Sequence, residues 1–177
     1  MKVKILPSKT SGEVSAPPSK SFAHRYLIGS VLSCGKCVIK NIADSDDISA
    51  TLSCIEQLGG SVTKDGNIVT VIPTNEKQIE NAVFDCKESG STLRFFIPVV
   101  LATGAKNCTF LGSERLLARG IKEYEKLFEN SDVKIKSDEK SIEVNGTLSA
   151  GNYEISGEVS SQYTTCLLYT SPSPRDG

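Results

Sequence analysis

Three short polar segments organise this chain: Pro17-Pro18-Ser19-Lys20-Ser21, Glu88-Ser89-Gly90-Ser91-Thr92 and Ser160-Ser161-Gln162. Lys20, Gly90 and Ser160 are spaced 70 residues apart, and Arg25 and Arg94 follow the first two segments. A constant interval indicates a repeated supersecondary unit that presents the same kind of helix start three times. Helix N-termini hold anions through unpaired N–H groups and a partial positive charge. The chain is therefore predicted to handle a small polyanionic substrate.

The composition limits the possible partners. The chain has 177 residues, 38% of them hydrophobic, and a net charge of −1. A near-neutral chain has no broad basic surface, so a nucleic-acid partner is not expected. No window approaches the length of a membrane span, and the opening residues 1–6 are too short for a signal peptide and are broken by Pro7. We expect a cytoplasmic protein without a membrane partner.

The six cysteines and the single His24 do not predict a metal site. Cys34 and Cys37 have CxxC spacing, but a zinc site needs a second pair of ligands, which the sequence lacks. A redox role of this pair remains open. Reduced thiols at a helix-to-strand turn are the favoured interpretation, because no secretory signal accompanies the cysteines. No cofactor and no metal are predicted.

Hydrophobic periodicity predicts alternating strands and helices, and therefore an α/β layer architecture. The first unit is predicted as a helix at 20–33, a strand at 37–42, a helix capped by Asp44 or Ser45, and a hairpin at 61–63 and 68–72. The second is predicted as a strand at 82–86, a helix at 91–102, a strand at 108–111, a helix at 121–129 and a hairpin at 133–135 and 142–144. Strands are also predicted at 2–6, 12–16 and 153–155, with a third helix from about Ser160.

Two local features bear on the chain's continuity. Pro98 lies inside the predicted helix at 91–102, where it removes one hydrogen bond and favours a kink. After Leu168 the composition changes, and residues 169–177 include two prolines within three residues. We interpret 169–177 as a non-native or disordered tail, with a natural disordered C-terminus as the alternative.

Five motifs resemble those of the enolpyruvylshikimate-phosphate synthase (3-phosphoshikimate 1-carboxyvinyltransferase) family, in family order and at family-like intervals across residues 1–168. They are Ala16-Pro17-Pro18-Ser19-Lys20-Ser21-Phe22-Ala23-His24-Arg25, Asp44-Ser45-Asp46-Asp47 with Leu58-Gly59-Gly60, Glu88-Ser89-Gly90-Ser91-Thr92-Leu93-Arg94, Ser113-Glu114-Arg115 with Arg119-Gly120-Ile121, and Gly157-Glu158-Val159-Ser160-Ser161-Gln162-Tyr163. Any one of these motifs alone is weak, but together they are highly specific.

The resemblance implies a fold of two similar domains built from repeated βαβαββ units. Residues 1–17 would then supply the first strands of the C-terminal domain and a crossover. Residues 18–168 would form the N-terminal domain, with two full units and the start of a third. The rest of the enzyme, including the family's acid/base carboxylates and further cations, would be absent, so we expect this chain alone to be inactive.

The resemblance also implies a reaction, the transfer of the enolpyruvyl group of phosphoenolpyruvate to the 5-hydroxyl of shikimate 3-phosphate with release of phosphate. Carried over by position, the catalytic residue is Lys20, which would contact both substrates. The implied shikimate 3-phosphate ligands are Lys20, Ser21, Arg25, Ser160, Ser161 and Gln162. The implied phosphoenolpyruvate ligands are Lys20, Gly90, Arg119 and Gln162. The parent enzyme is expected to be monomeric.

Several residues depart from the family pattern or have a simpler interpretation. His24 stands where the family usually has Asn or Ser, Gly120 where it has Pro, and Glu88 where it often has Asn. His24 is predicted to be packed or on the surface rather than catalytic, and Arg94 to support its loop rather than touch substrate. Asp46 and Asp47 are read as first-turn helix charges.

Two other functions stay open at this point. One is the related enolpyruvyl transferase that acts on UDP-N-acetylglucosamine, which opens with an Asn-containing motif instead of Ser19-Lys20-Ser21. The other is a non-catalytic phosphometabolite-binding domain that is complete in itself.

Overall fold

The computed structural model describes residues 3–4, 9, 11–73 and 79–170, without the side chains of Ala105 and Tyr169. The strand predicted at 2–6 falls mostly outside these residues. Of the tail predicted at 169–177, Tyr169 and Thr170 belong to the last helix, and the remainder lies outside the described residues.

The first unit contains two helices and an antiparallel sheet of three strands. Its elements are α1 (Lys20–Val31), β1 (Cys37–Ile39), α2 (Asp46–Gln57), β2 (Ser61–Asp65) and β3 (Ile68–Ile72). The strand order is β1-β3-β2, and Asp65 pairs with Ile68 across a two-residue turn. Gly66, at φ 55°, takes the left-handed conformation that such a turn requires.

The second unit repeats this arrangement. Its elements are β4 (Ile79–Glu80), β5 (Val83–Asp85), α3 (Gly90–Ala102), β6 (Ala105–Leu111), α4 (Glu114–Arg119), α5 (Lys122–Phe128), β7 (Lys134–Ser137) and β8 (Ser141–Gly146). The order β6-β8-β7 matches β1-β3-β2, and β4 and β5 pair parallel with β6. The third unit contributes α6 (Ser161–Thr170). The predicted α/β architecture and its repeat are confirmed.

Serine side chains begin four of the helices. Ser19, Ser45, Ser89 and Ser113 each accept a hydrogen bond from the backbone N–H three residues later, at 3.2–3.4 Å. Each cap satisfies one of the N–H groups that a helix start leaves unpaired. The remaining first-turn N–H groups have no partner within their helices, which keeps them available to a ligand.

One hydrophobic core joins the two units. Each sheet is buried on one face, since Val69 and Val71 of β3 and Ile142 and Val144 of β8 alternate with more exposed residues. The largely apolar α3 packs between the sheet that contains β6 and β8 and the helices α1, α2 and α6, with every residue from 95 to 101 buried. Burial on all sides explains why this helix is hydrophobic around its full circumference.

Two predicted strands are not formed. Residues 12–16 and 153–155 adopt no strand, and Val14 is 93% exposed. A strand is stabilised by pairing and by burial of one face, and neither segment has a neighbouring strand among the described residues. Conversely, β4 and α4 were not predicted, because two and six residues carry too little periodicity to detect.

Pro98 lies within α3, as predicted, and the carbonyl that it leaves unpaired has another partner. A residue with an N–H at position 98 would donate to the carbonyl of Arg94, four residues earlier. Tyr124 of α5 donates its hydroxyl to that carbonyl instead, at 2.8 Å. The Tyr124 side chain is completely buried, and burial raises its pKa well above the usual value. The hydrogen bond between the Tyr124 hydroxyl and the Arg94 carbonyl therefore holds α5 against the middle of α3.

Tyr124→Phe is expected to lower the free energy of unfolding by about 1 to 2 kcal/mol, because it leaves the Arg94 carbonyl buried without a partner. Urea unfolding followed by circular dichroism measures this change. Tyr26→Phe is the matched control, since Tyr26 is 60% exposed and should lose almost nothing. Equal stability of the two variants would contradict the role given to the Tyr124 hydroxyl.

No helix within the described ranges combines the length and the apolar character that crossing a bilayer requires.

Candidate anion-binding site

The N-terminus of α1 borders an open cleft of about 530 Å³. The residues that line it are Lys20, Ser45, Asp46, Asp47, Lys87 and Glu88. Lys20 is the first residue of α1, and its Nζ lies 3.1 Å from Asp47 Oδ2. Both side chains remain partly in water, at 56% and 35% exposure, so this ion pair is weak and a stronger anion can displace it.

Arg25 lies one turn further along α1. Its Nη1 donates to Ser21 Oγ at 2.6 Å and to the Ser21 carbonyl at 3.0 Å. The guanidinium carbon is 5.6 Å from the centre of the Phe95 ring on α3. The cation is therefore held half-buried between α1 and α3, where partial loss of water strengthens its attraction for an anion.

The N-termini of α3 and α6 meet through Gln162. Its Nε2 donates to Ser91 Oγ at 2.7 Å, and its backbone N–H donates to Ser160 Oγ at 3.2 Å. Gly90 and Ser91 begin α3, so their N–H groups are free of partners within the helix. This contact brings two of the three segments that are spaced 70 residues apart to one place.

A buried chain of hydroxyl groups connects α1, α2 and the start of α3. His24 Nδ1 lies 2.8 Å from Thr51 Oγ1, which lies 2.7 Å from Thr92 Oγ1. Thr92 Oγ1 in turn lies 2.7 Å from Ser89 Oγ, and the Asp47 carbonyl accepts from the Thr51 hydroxyl. Because Ser89 is the cap of α3, this chain joins the helix that carries Lys20 to the helix that begins with Gly90.

The environment of His24 keeps its imidazole neutral. The side chain is 3% exposed, and burial lowers its pKa from 6.5 to about 4. The charges of Lys20 and Arg25 also lower this pKa, and the Asp47 carboxylate opposes them. His24 is thus packed, one of the two placements predicted from the sequence, and a neutral imidazole here leaves the cations nearby available to a ligand.

The structure brings together most but not all of the predicted site residues. Lys20, Ser21 and Arg25 share α1, which contacts α3 through Phe95. Ser161 is exposed on the first turn of α6. Arg119 ends α4 and is also exposed, and within the described part of the chain its side chain makes no hydrogen bond or ion pair.

Arg119 is linked to the site only through the start of its helix. The Ser113 N–H donates to the Lys87 carbonyl at 2.7 Å, which holds α4 beside the loop that leads to Gly90. A Cβ on Gly90 would lie 3.7 Å from Leu116 of the same helix. The arginine is therefore carried, exposed, at the end of a short helix beside the loop.

Sequence reasoning missed three contributors to this site. Thr51 and Thr92 belong to the buried hydroxyl chain, and Lys87 lines the cleft. Asp47 is predicted as a first-turn helix charge, and in the structure it also forms an ion pair with Lys20, 27 residues away. None of these contacts has a local sequence signal, because each joins residues on different elements.

The buried thiols of Cys86 and Cys166 are not suited to act as nucleophiles. Burial raises the pKa of Cys166 to about 12, and a hydrogen bond with Cys54 together with burial raises the pKa of Cys86. Thiols held protonated in this way are poor nucleophiles. Within the described ranges, no three His, Cys, Asp or Glu side chains are grouped closely enough to hold a metal ion.

A second concavity, of about 550 Å³, lies on the outer face of the larger sheet, which is the five-stranded sheet of the second unit. Its lining includes Asn107, Lys134 and Lys136. No helix N-terminus opens into it, so it lacks the directed N–H groups of the cleft beside α1. The candidate site is therefore placed where α1, α3 and α6 begin.

The family model for EPSP synthase (3-phosphoshikimate 1-carboxyvinyltransferase) matches residues 6–177. The chain belongs to the EPSP synthase family. A 3-phosphoshikimate 1-carboxyvinyltransferase of Clostridium novyi (strain NT) is 39% identical over 181 residues, which cover 96% of this chain and 41% of the relative. One from Clostridium perfringens (strain SM101 / Type A) is 39% identical over 178 residues, covering 99% of this chain and 42% of the relative.

A solved EPSP synthase from Acinetobacter baumannii has the same fold. It superimposes with a TM-score of 0.68 at 17% identity, over 90% of this chain and 37% of the other. The present chain thus spans about two fifths of the length of the curated EPSP synthase relatives that it matches.

Proposed function

We propose that this chain is the N-terminal portion of an enzyme that transfers the enolpyruvyl group of phosphoenolpyruvate to the 5-hydroxyl of shikimate 3-phosphate and releases phosphate. The observation that carries the proposal is the convergence of α1, α3 and α6, whose first turns bear Lys20, Gly90 and Gln162. Both substrates are densely anionic, and directed N–H groups with a few cations are what such ligands require.

The proposed roles follow from position. Arg25, Ser21, Ser160 and Ser161 bind shikimate 3-phosphate, while Lys20 and Gln162 contact both substrates. Gly90 and Arg119 bind phosphoenolpyruvate. Holding both anions in one site lowers the entropic cost of their reaction, and the cations stabilise the charge that develops on the departing phosphate.

We further propose that residues 1–17 belong to a C-terminal domain and residues 18–168 to the N-terminal domain, with the residues after α6 as a tail. The parent enzyme is proposed to act in the cytoplasm as a monomer. Because the chain spans about two fifths of its relatives, it is expected to bind shikimate 3-phosphate without catalysing the transfer. The relatives' names favour neither a UDP-N-acetylglucosamine transferase nor a non-catalytic domain.

Titration calorimetry of the 177-residue chain with shikimate 3-phosphate tests the proposal. Lys20→Ala and Arg25→Ala are each expected to weaken binding by about tenfold to a hundredfold, since each removes a charge-assisted hydrogen bond. Lys134→Ala and Lys136→Ala remove exposed cations on β7, outside the cleft, and serve as charge-matched controls. Tighter binding of UDP-N-acetylglucosamine, or equal losses in the controls, would contradict the proposal.

Asp47→Asn is expected to strengthen the binding of shikimate 3-phosphate by about twofold to fivefold, because it frees Lys20 and removes a negative charge from the cleft. Calorimetry at low ionic strength measures the change. Glu80→Gln is the control, since Glu80 pairs with Lys106 at 2.8 Å outside the cleft. Weaker binding in Asp47→Asn would mean that Asp47 orients Lys20 for the substrate rather than competing for it.

A further inference from the structure

The guanidinium of Arg94 is held on three sides near the start of α3. Its Nη1 donates to Gln162 Oε1 at 2.9 Å, and its central carbon lies 5.3 Å from the centre of the Tyr163 ring. A Cβ added to Gly90 would lie 3.3 Å from Nη1, closer than an ordinary contact. The absence of a side chain at position 90 therefore makes room for this guanidinium.

The Gln162 side chain could in principle be placed with either end of its amide toward α3, because its oxygen and nitrogen have the same shape. Arg94 offers only donors, so only the amide oxygen can face it. The amide nitrogen then faces Ser91, to which it donates at 2.7 Å. Arg94 thus decides which end of Gln162 faces the first turn of α3.

We propose that Arg94 is a positioning residue, which orients the Gln162 amide so that its N–H donors face the anion site. This inference rests on the proposed function, in which Gln162 contacts the substrates. An anion needs a donor, and an amide turned the other way would present an oxygen and repel it. Arg94 itself contacts no substrate, since its charge is directed to Gln162 and to the Tyr163 ring.

The backbone of Arg94 is fixed as firmly as its side chain. The Tyr124 hydroxyl donates to the Arg94 carbonyl, and the Tyr124 ring packs edge-on against Tyr163 with 4.8 Å between ring centres. Tyr163 is 2% exposed and follows Gln162 directly in α6. Because α3, α5 and α6 meet at these four residues, the orientation of Gln162 is part of the packing of the third unit on the second.

Lysine cannot replace Arg94 in this role. A lysine ammonium is a point charge on a flexible stem. The planar guanidinium can stack on a ring and, at the same time, donate a hydrogen bond in a fixed direction. Arg94→Lys keeps the charge and should release the Gln162 amide. This substitution therefore separates positioning from simple electrostatic attraction.

Nuclear magnetic resonance of the ligand-free, ¹⁵N-labelled 177-residue chain tests the positioning directly. The side-chain N–H signals of Gln162 are identified by their loss in Gln162→Ala. In Arg94→Lys they are expected to move toward the positions of a solvent-exposed amide and to exchange faster with water. Arg115→Lys, an exposed arginine on α4, is the matched control. Unchanged Gln162 signals in Arg94→Lys would overturn the proposal.

A double-mutant cycle on shikimate 3-phosphate affinity tests the consequence. Arg94→Lys is expected to weaken binding by about tenfold in the wild-type background and to have no further effect in the Gln162→Ala background. Independent losses would show that Arg94 holds the anion itself, and a lower melting temperature without any change in affinity would show a purely structural role. Either result overturns the inference. If the wild-type chain binds no shikimate 3-phosphate, the proposed function fails, and the magnetic resonance result still decides the orientation of Gln162.

Discussion

Lowering the pH from 7.5 to 4.5 is expected to reduce the free energy of unfolding by about 2 to 3 kcal/mol through His24 alone. The imidazole is 3% exposed, and its pKa is about 4 in the folded chain against 6.5 in the unfolded one. Burial is the main cause of this lowered pKa. The charges of Lys20 and Arg25 lower it further, and the Asp47 carboxylate raises it.

The sign of the effect follows from the protons bound in each state. Above pH 6.5 His24 is neutral in both states and contributes nothing to the pH dependence. Between pH 6.5 and about 4, His24 is protonated in the unfolded chain but stays neutral in the folded chain. The free energy of unfolding therefore falls as the pH falls. Below pH 4 both states are protonated and the loss is complete.

Urea unfolding of the wild type and of His24→Asn at both pH values measures this contribution. Asparagine can still hydrogen-bond Thr51, but it does not titrate. Carboxylates also titrate in this range and affect both proteins alike, so the difference between the two pH dependences isolates His24. The same loss of stability in His24→Asn would contradict the account of this residue.

Phe84→Ala is expected to lower the free energy of unfolding by about 3 to 5 kcal/mol, the usual cost of truncating a buried phenylalanine. Phe84 lies on β5 and is completely buried. Its ring centre is 5.0 Å from that of Phe110 and 6.0 Å from that of Phe96. Removing the ring loses these contacts and leaves a cavity between β5, β6 and α3.

The loss of packing around Phe84 should also destabilise the candidate site, because β5 leads directly into the loop before Gly90. Chemical unfolding monitored by circular dichroism measures the stability. Phe84→Leu retains most of the volume and should recover a large part of it, while Phe22→Ala, at a residue 62% exposed, is the surface control. Comparable losses in Phe84→Ala and Phe22→Ala would show that the aromatic cluster does not anchor the strand.

Most of the fold could be predicted from the sequence because its signals are local. Serine caps precede α1, α2 and α3, and many apolar residues follow each cap, so the three helices were predicted and are confirmed, with their starts correct to within about a residue. The hairpin of β2 and β3 was equally clear, because Gly66 and its neighbours form a two-residue turn between β-branched residues.

The two strands predicted at 12–16 and 153–155 failed for a physical reason. Both segments have a suitable composition, but pairing decides whether a strand forms, and no local pattern shows whether a partner strand is present. The exposure of Val14 and the absence of a neighbouring strand among the described residues are consistent with this explanation.

The sequence proposes a set of site residues, but it does not predict the contacts between them. Arg94 and Gln162 are 68 residues apart, and His24 and Thr51 are 27 apart. Hydrogen bonds between distant elements depend on how the helices pack, which periodicity does not encode. The sequence therefore predicted Gln162 as a site residue without its orientation, and His24 as a packed or surface residue without its partner.

The convergence of α1, α3 and α6 on a single anion site is tested most directly by amide chemical shifts during titration of the ¹⁵N-labelled chain with shikimate 3-phosphate. The account predicts that the largest changes fall together on residues 20–25, 89–92 and 160–163, with one common dissociation constant. Changes confined to the outer face of the larger sheet, around Lys134 and Lys136, or three segments that titrate with different constants, would contradict it.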